Sequence, residues 1–308
     1  MAEYEGHPMD PHMFDHLIGQ TLGTRNMNYT WRDVSLYALG IGAHAADLPY
    51  VYERAEGGLK VFPTFAMIPY LNNLTMDKRT VEPDGTNEIL REYLKKLLGY
   101  MPGGLHMSMD ITIDGRIDPY SGTFIVQDRL NNVLDRGEGK GIVADCAMEV
   151  FDIGSNHVAT LHSYHYNKAF GGFGGEKFRS GKLNYPDREP DRTVTDHMAE
   201  NQACIYRLVG DTYNVHVDPA VAAGYGYPKP FMMGMSTYGF GIRMAVQEFF
   251  PYEPERITHV FGQVRNVCYP GQDMTAKIWK IKDGQLYMKL FDSDDRILLD
   301  HFVIDYKA

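Results

Sequence analysis

The chain has 308 residues, 44% hydrophobic and 23% charged, a globular composition long enough for about two domains. A formal net charge of −10 argues against a broad nucleic-acid or anionic-membrane surface and leaves any anionic ligand to a local basic cluster. Three widely spaced cysteines (Cys146, Cys204, Cys268) offer neither a disulfide framework nor a CxxC site, which points to a reducing, cytoplasmic compartment.

Residues 1–30 read as a helix-and-loop lead-in whose polar, acidic start is not a signal peptide. Asp33 to Ala46 predicts a short helix breaking at Gly40 and Gly42, and FPTFAMIPYLNNL reads as buried. A helical pattern (NEILREYLKKLLGY) falls between Asp77 and Pro102. From Leu105 the period changes to two, with Leu105, Met107, Met109, Ile111 and Ile113 on one face, and further strands are expected at 121–128, 141–153 and 157–167. Helix followed by antiparallel strands is the layout of an α+β domain.

Asn167 to Asp196 begins FGGFGG and carries Lys177, Arg179, Lys182, Arg188 and Arg192 without periodicity, so it reads as a linker. The expected division is a domain over 1–166, a linker over 167–196 and a second domain over 197–308. The second half then repeats the order: a short helix at about 197–208, a loop holding Asp211 and His216, and a helix of about sixteen residues opening at Gly234. Strands follow at 257–268, 273–281, 284–292 and 296–306, with tight turns at Asp283-Gly284 and Ser293–Asp295. LYALGIGAHAAD (36–47) can be laid over IYRLVGDTYNVH (205–216), pairing Tyr37 with Tyr206, and PTFAM over PFMMG. In that overlay Gly42 stands where Asp211 is and Asp47 where His216 is, so only the second copy carries an acid–imidazole pair. No apolar run approaches the roughly 18 residues of a membrane span, and the C-terminal YKA is not an SKL-type peroxisomal address.

An acid and an imidazole on one short loop, followed closely by a helix start, suit general acid–base chemistry on a carbonyl compound. The pair moves protons, and the helix N-terminus offers amide donors and a positive dipole to the carbonyl oxygen. Each residue also has a plainer reading. Asp211 can be a turn residue bonded to its own loop, and His216 a satisfied half-buried histidine. Gly234 can simply allow close packing, while Met232, Met233 and Met235 read as core or pocket wall. Asp218 in VDP reads as a cap, and Ser236 as a first-turn residue rather than a nucleophile. Neither His44 with Asp47 nor Asp211 with His216 and Asp218 has a third ligand at metal spacing, so no metal is expected.

Across these blocks the sequence resembles the MaoC-like hydratases, specifically the (R)-specific 2-enoyl-CoA hydratase of the hydratase 2 type that also occurs inside the peroxisomal multifunctional enzyme of fatty-acid β-oxidation. YTWRDVSLYALGIGA, FPTFAMIP, AFGGFGGEK, NQACIYRLVGD, VHVDP, GMSTYGF and YPGQ carry the likeness over almost the whole chain. It implies an α+β double hotdog, two antiparallel sheets each wrapping a helix, with an incomplete first copy that accommodates a bulky acyl chain. It also implies reversible hydration of a 2-enoyl-CoA to the (R)-3-hydroxyacyl-CoA by a homodimer. Asp211 and His216 fall on the family's catalytic pair and Gly234 on the glycine whose amide holds the thioester oxygen. Tyr213 and Asn214 stand where the family has Asn and Pro, and Met233 where it has His; these three are expected to border the substrate. Lys177, Arg179 and Lys182 are expected to meet the phosphates of coenzyme A, which enters only as part of the substrate. A hotdog acyl-CoA thioesterase and a non-catalytic acyl-CoA-binding protein are the alternatives.

Overall fold

The computed structural model describes residues 15–16, 18–70, 105–167, 171–178, 182–211 and 213–308. The helix expected between Asp77 and Pro102, and the candidate Arg179, lie outside them. The described residues form ten strands: β1 Thr21–Thr30, β2 Leu105–Ile113, β3 Ser121–Asp135, β4 Ile142–Phe151, β5 His157–Asn167, β6 Arg192–His197, β7 Ile257–Val264, β8 Asp273–Lys282, β9 Gln285–Asp292 and β10 Ile297–Tyr306. They make one continuous sheet in the order β1-β3-β4-β5-β2-β7-β10-β9-β8-β6.

Read from each outer edge inward, β1-β3-β4-β5-β2 and β6-β8-β9-β10-β7 are the same order, so the faint sequence overlay corresponds to a repeated topology. The two halves join where β2 runs antiparallel to β7, with Ser108 opposite Gln263 and Thr112 opposite His259. Period-two strands bury one face: β9 (QLYMKLFD) turns Leu286, Met288 and Leu290 inward. The tight turns stand where expected, with Gly284 and Asp295 both at positive φ.

The lead-in expectation is corrected by β1, which pairs with β3 from Thr21 to Thr30. Its alternation is hidden because one of its inward residues is Arg25, fully buried against Asp128 at 2.8 Å. The linker expectation is corrected at its end, where β6 pairs with β8 as an edge strand. The helix expected over 197–208 shortens accordingly to Gln202–Tyr206 followed by a 3-10 turn over Arg207–Val209.

Helix α1 (Trp31–Gly40) opens with a capping box: Thr30 N–H donates to Asp33 at 2.8 Å, and Thr30 Oγ1 accepts from Arg32 N–H at 3.3 Å. After α2 (Leu48–Val51), α3 (Gln202–Tyr206) and α4 (Pro219–Gly224), α5 (Gly234–Phe249) runs through the core. Every residue from Met235 to Val246 is buried, the signature of a helix surrounded on all sides. Its buried polar groups are paired: Arg243 Nε donates to Ile41 O at 2.8 Å, its Nη2 meets Asp196, and Tyr238 OH donates to Gly262 O.

Candidate active site

Helix α3 lies against the end of α1. Gln202 Nε2 donates to the carbonyls of Leu39 and Gly40 at 2.7 and 2.9 Å, satisfying oxygens that α1 leaves open, and the Tyr37 and Tyr206 rings sit 6.4 Å apart. The loop that follows is thereby anchored on the first half of the chain. Gly210, at φ +146, turns it into Asp211.

Asp211 is 8% exposed and accepts a hydrogen bond from Tyr213 N–H at 3.3 Å. Burial raises its pKa above the ordinary carboxylate range, and the charge of His216 opposes that rise. The loop tightens into a 3-10 turn over Asn214–His216. His216, 9% exposed, bonds through Nδ1 to the carbonyl of Phe231 at 2.8 Å. A carbonyl only accepts, so Nδ1 carries a proton, and whenever the ring is neutral Nε2 is a bare lone pair. Asp218 is a cap, as expected, accepting from Ala220 and Val221 N–H at 2.8 and 3.3 Å.

The Phe231 bond ties the imidazole to the segment that enters α5. Met232 N–H donates to Cys268 O at 2.7 Å, and Met233 sits at the N-cap with no side-chain hydrogen bond to the first turn. The amides at Gly234 are therefore not met by a capping side chain, and the helix dipole points out of that end. A Cβ on Gly234 would lie 3.0 Å from His106 Nδ1, so glycine allows the close approach. The structure thus brings Asp211, His216 and the start of α5 onto one connected segment.

The other candidates fall as follows. Met233 is buried with Met232 and Met235, whereas Tyr213 is 47% exposed and stacks edge-on to His216, with its hydroxyl 2.8 Å from that of Tyr225. Asn214 is exposed. Ser236 is buried and donates to Gly40 O at 3.1 Å, as a structural residue would. Lys177 forms an isolated main-chain β-bridge with Asp135, whose carboxylate takes N–H bonds from Gly137, Gly172 and Gly174 at 2.8, 2.8 and 2.9 Å. The bonds from Gly172 and Gly174 fasten residues 171–175 to β3. Lys182 is exposed, and the next residue, Leu183, donates its N–H to His301 Nδ1 at 2.9 Å. Sequence reasoning missed two contributors, the Phe231 carbonyl and His106. Nothing local marks either, since a carbonyl is present in every residue and His106 is 128 positions from Gly234. Among the described residues no group of three or more His, Cys, Asp or Glu is arranged to hold a metal, and no helix is long and apolar enough to cross a membrane.

Residues 27–166 match the MFE-2 hydratase 2 N-terminal domain, and residues 182–291 match the MaoC-like domain. The chain is 28% identical to a probable enoyl-CoA hydratase 2 of Dictyostelium discoideum, over 82% of each chain. It is 29% identical to the peroxisomal multifunctional enzyme type 2 of Mus musculus, over 85% of this chain and 34% of that longer protein. Among solved structures, a MaoC-like dehydratase from Phytophthora capsici superposes with a TM-score of 0.80 at 22% identity, over 95% of this chain and 98% of that one. A Mycobacterium tuberculosis protein described as a double hotdog superposes at 0.55 and 12% identity, over 96% and 98%. The fold is the expected α+β double hotdog.

Proposed function

This chain belongs to the MaoC-like hydratase 2 family, and we propose that it reversibly hydrates a 2-enoyl-CoA to the (R)-3-hydroxyacyl-CoA. The observation that carries the reading is the His216–Phe231 bond, which places a proton on Nδ1 and frees Nε2 to accept in the neutral ring, on the same loop as the buried Asp211.

Hydration puts a hydroxyl on Cβ and a proton on Cα through an enolate-like transition state. In our reading one water donates one O–H to His216 Nε2 and the other to the Asp211 carboxylate. As its oxygen bonds to Cβ, the pair takes one proton, and the pair returns a proton to Cα. Charge developing on the thioester oxygen is met by the Gly234 amide at the positive end of α5. A positioned proton-transfer group contributes about 10²–10⁴-fold and one oxyanion donor about 10²–10³-fold. No metal or redox cofactor is needed for these steps.

Burial of Asp211 holds a strong acceptor in a dry site, which strengthens its grip on water and couples it to His216. Met233 and the exposed Tyr213 would border the thioester, with Asn214 on the outer side of the loop. Lys177 and Lys182 are the basic residues we assign to the coenzyme A phosphates, which a chain of net charge −10 otherwise repels. The free thiols Cys146, Cys204 and Cys268 suit a reducing, cytoplasmic setting, and a homodimer would follow the family pattern.

The test is to incubate purified protein with a trans-2-enoyl-CoA while following enoyl absorbance and free thiol together, then to resolve the product's stereochemistry. Loss of absorbance without thiol, giving the (R)-3-hydroxy product, is expected. Stoichiometric thiol release would instead establish a thioesterase, and no change in either signal a binding protein.

A further inference from the structure

The inward face of the first half is not uniformly apolar. Opposed residues on neighbouring strands share a face, so Asp128, Met148, Leu161 and Ile111 form one row, Cys146 and Ser163 belong to the next, and His165 and His106 to a third. Val126, Leu130, Ala144, Val150 and Ala159 complete the surface as buried hydrophobics. Across it runs a polar stripe from His106 on β2, through His165 and Ser163 on β5 and Cys146 on β4, to Asp128 on β3 and Arg25 on β1. Five strands at roughly 4.8 Å spacing make that stripe about 19 Å long.

Its near end touches the candidate active site. His106 Nδ1 is the atom a Cβ on Gly234 would meet at 3.0 Å, and the His106 and His165 rings are 5.3 Å apart. Tyr70 lies over the middle: its hydroxyl is 2.5 Å from His165 Nε2, and Ser163 Oγ is 3.0 Å from the same nitrogen. Both contacts fall on Nε2, so the two hydroxyls hold one side of the His165 ring. Burial keeps both imidazoles neutral, pushing His106 down to about 4 and His165 to about 3.

Two polar atoms on the stripe are buried without a partner, His106 Nε2 and Arg25 Nη1. Arg25 spends its other nitrogens on Asp128 at 2.8 and 3.0 Å and on Met148 Sδ at 3.6 Å. A hydrocarbon tail laid on this face would leave these groups unpaired. A hydroxyl, which both donates and accepts, can pair with either of them.

We propose that this stripe is a specificity subsite for an acyl chain that carries a hydroxyl group, built from His106, His165, Tyr70, Ser163 and Arg25. The proposal rests on the hydratase reading and deepens it by naming the substrate class. Sites built to hydrogen-bond a substrate hydroxyl reject the analogue lacking it by as much as about 10⁴–10⁵-fold, whereas apolar pockets discriminate far less.

The experiment compares kcat/KM of the full-length protein for trans-2-decenoyl-CoA and 10-hydroxy-trans-2-decenoyl-CoA. Wild type is expected to favour the hydroxylated substrate by at least about tenfold. His165→Leu and, separately, Tyr70→Phe are expected to pull that ratio toward about twofold. Because a ratio is read, a shared loss of folded protein cancels, and Tyr70→Phe removes only one oxygen should the leucine variant fold poorly. Equal rates, a preference for the plain chain, or a ratio unchanged in both variants would make the stripe a structural network only, with the hydratase reading intact. Hydration of neither substrate would overturn both readings.

Discussion

His216 gives its Nδ1 proton to the carbonyl of Phe231 at 2.8 Å, three residues before α5 begins. One bond therefore sets the tautomer of the base and fixes its place relative to the helix start. Asparagine at 216 has an amide nitrogen where Nδ1 stands and nothing where Nε2 stands. We expect His216→Asn to melt within a few degrees of wild type while kcat for a 2-enoyl-CoA falls by about 10²-fold or more. Thermal melting and steady-state rates on one preparation check both halves.

Asp211 is costly to the fold. Its raised pKa, caused first by burial, means that the folded state prefers the protonated carboxyl. Its contribution to stability is fully present below the unfolded value of about 3.9 and is lost as pH rises through the higher folded value. We expect Asp211→Asn to melt above wild type at pH 7, with the gap closing toward pH 4, and to be nearly inactive. Melting curves at the two pH values give the sign.

Gly234 leaves no slack for a side chain. An alanine methyl would stand 3.0 Å from His106 Nδ1 and 3.8 Å from Val264 Cγ2. The cheapest relief is a shift of the first turn, which moves the amide. Small misplacements of a catalytic group cost up to about 10²-fold, so we expect Gly234→Ala to lower kcat/KM by about tenfold with kcat falling more than KM rises.

His259 clasps the two halves, bonding to Asp110 on β2 at 3.0 Å and to Asp305 on β10 at 2.9 Å. The Asp110 bond above all raises its pKa. The sign follows: its stabilisation is fully present below the unfolded histidine value of about 6.5 and is lost as pH rises through the folded value. The melting temperature of wild type should therefore exceed that of His259→Gln most below pH 6.5, and the difference should shrink in alkaline buffer.

Much of this architecture is legible in the residues themselves. The alternation from Met109 to Ile113 and the four C-terminal strands follow from one buried and one open face, and α5 from its apolar run, whereas a register shift between His106 and Ser108 turns His106 rather than Met107 inward. β1 escapes that logic because a buried arginine, neutralised by Asp128 from 103 positions away, breaks the apolar period. β6 escapes it because an edge strand with exposed or half-exposed residues has no face to mark. In the site, the Asp211–His216 spacing is visible locally. Their orientation is not, since it depends on a main-chain carbonyl at Phe231 and on His106 arriving from another strand.

The most direct measurement is turnover of a trans-2-enoyl-CoA by Asp211→Asn, His216→Asn and the double variant. Groups that act as one unit lose their effect together. We expect each single substitution to lower kcat by about 10²-fold or more, and the double variant to be little worse than the weaker single. Singles that retain turnover within about threefold of wild type, while folded, would contradict catalysis by this pair.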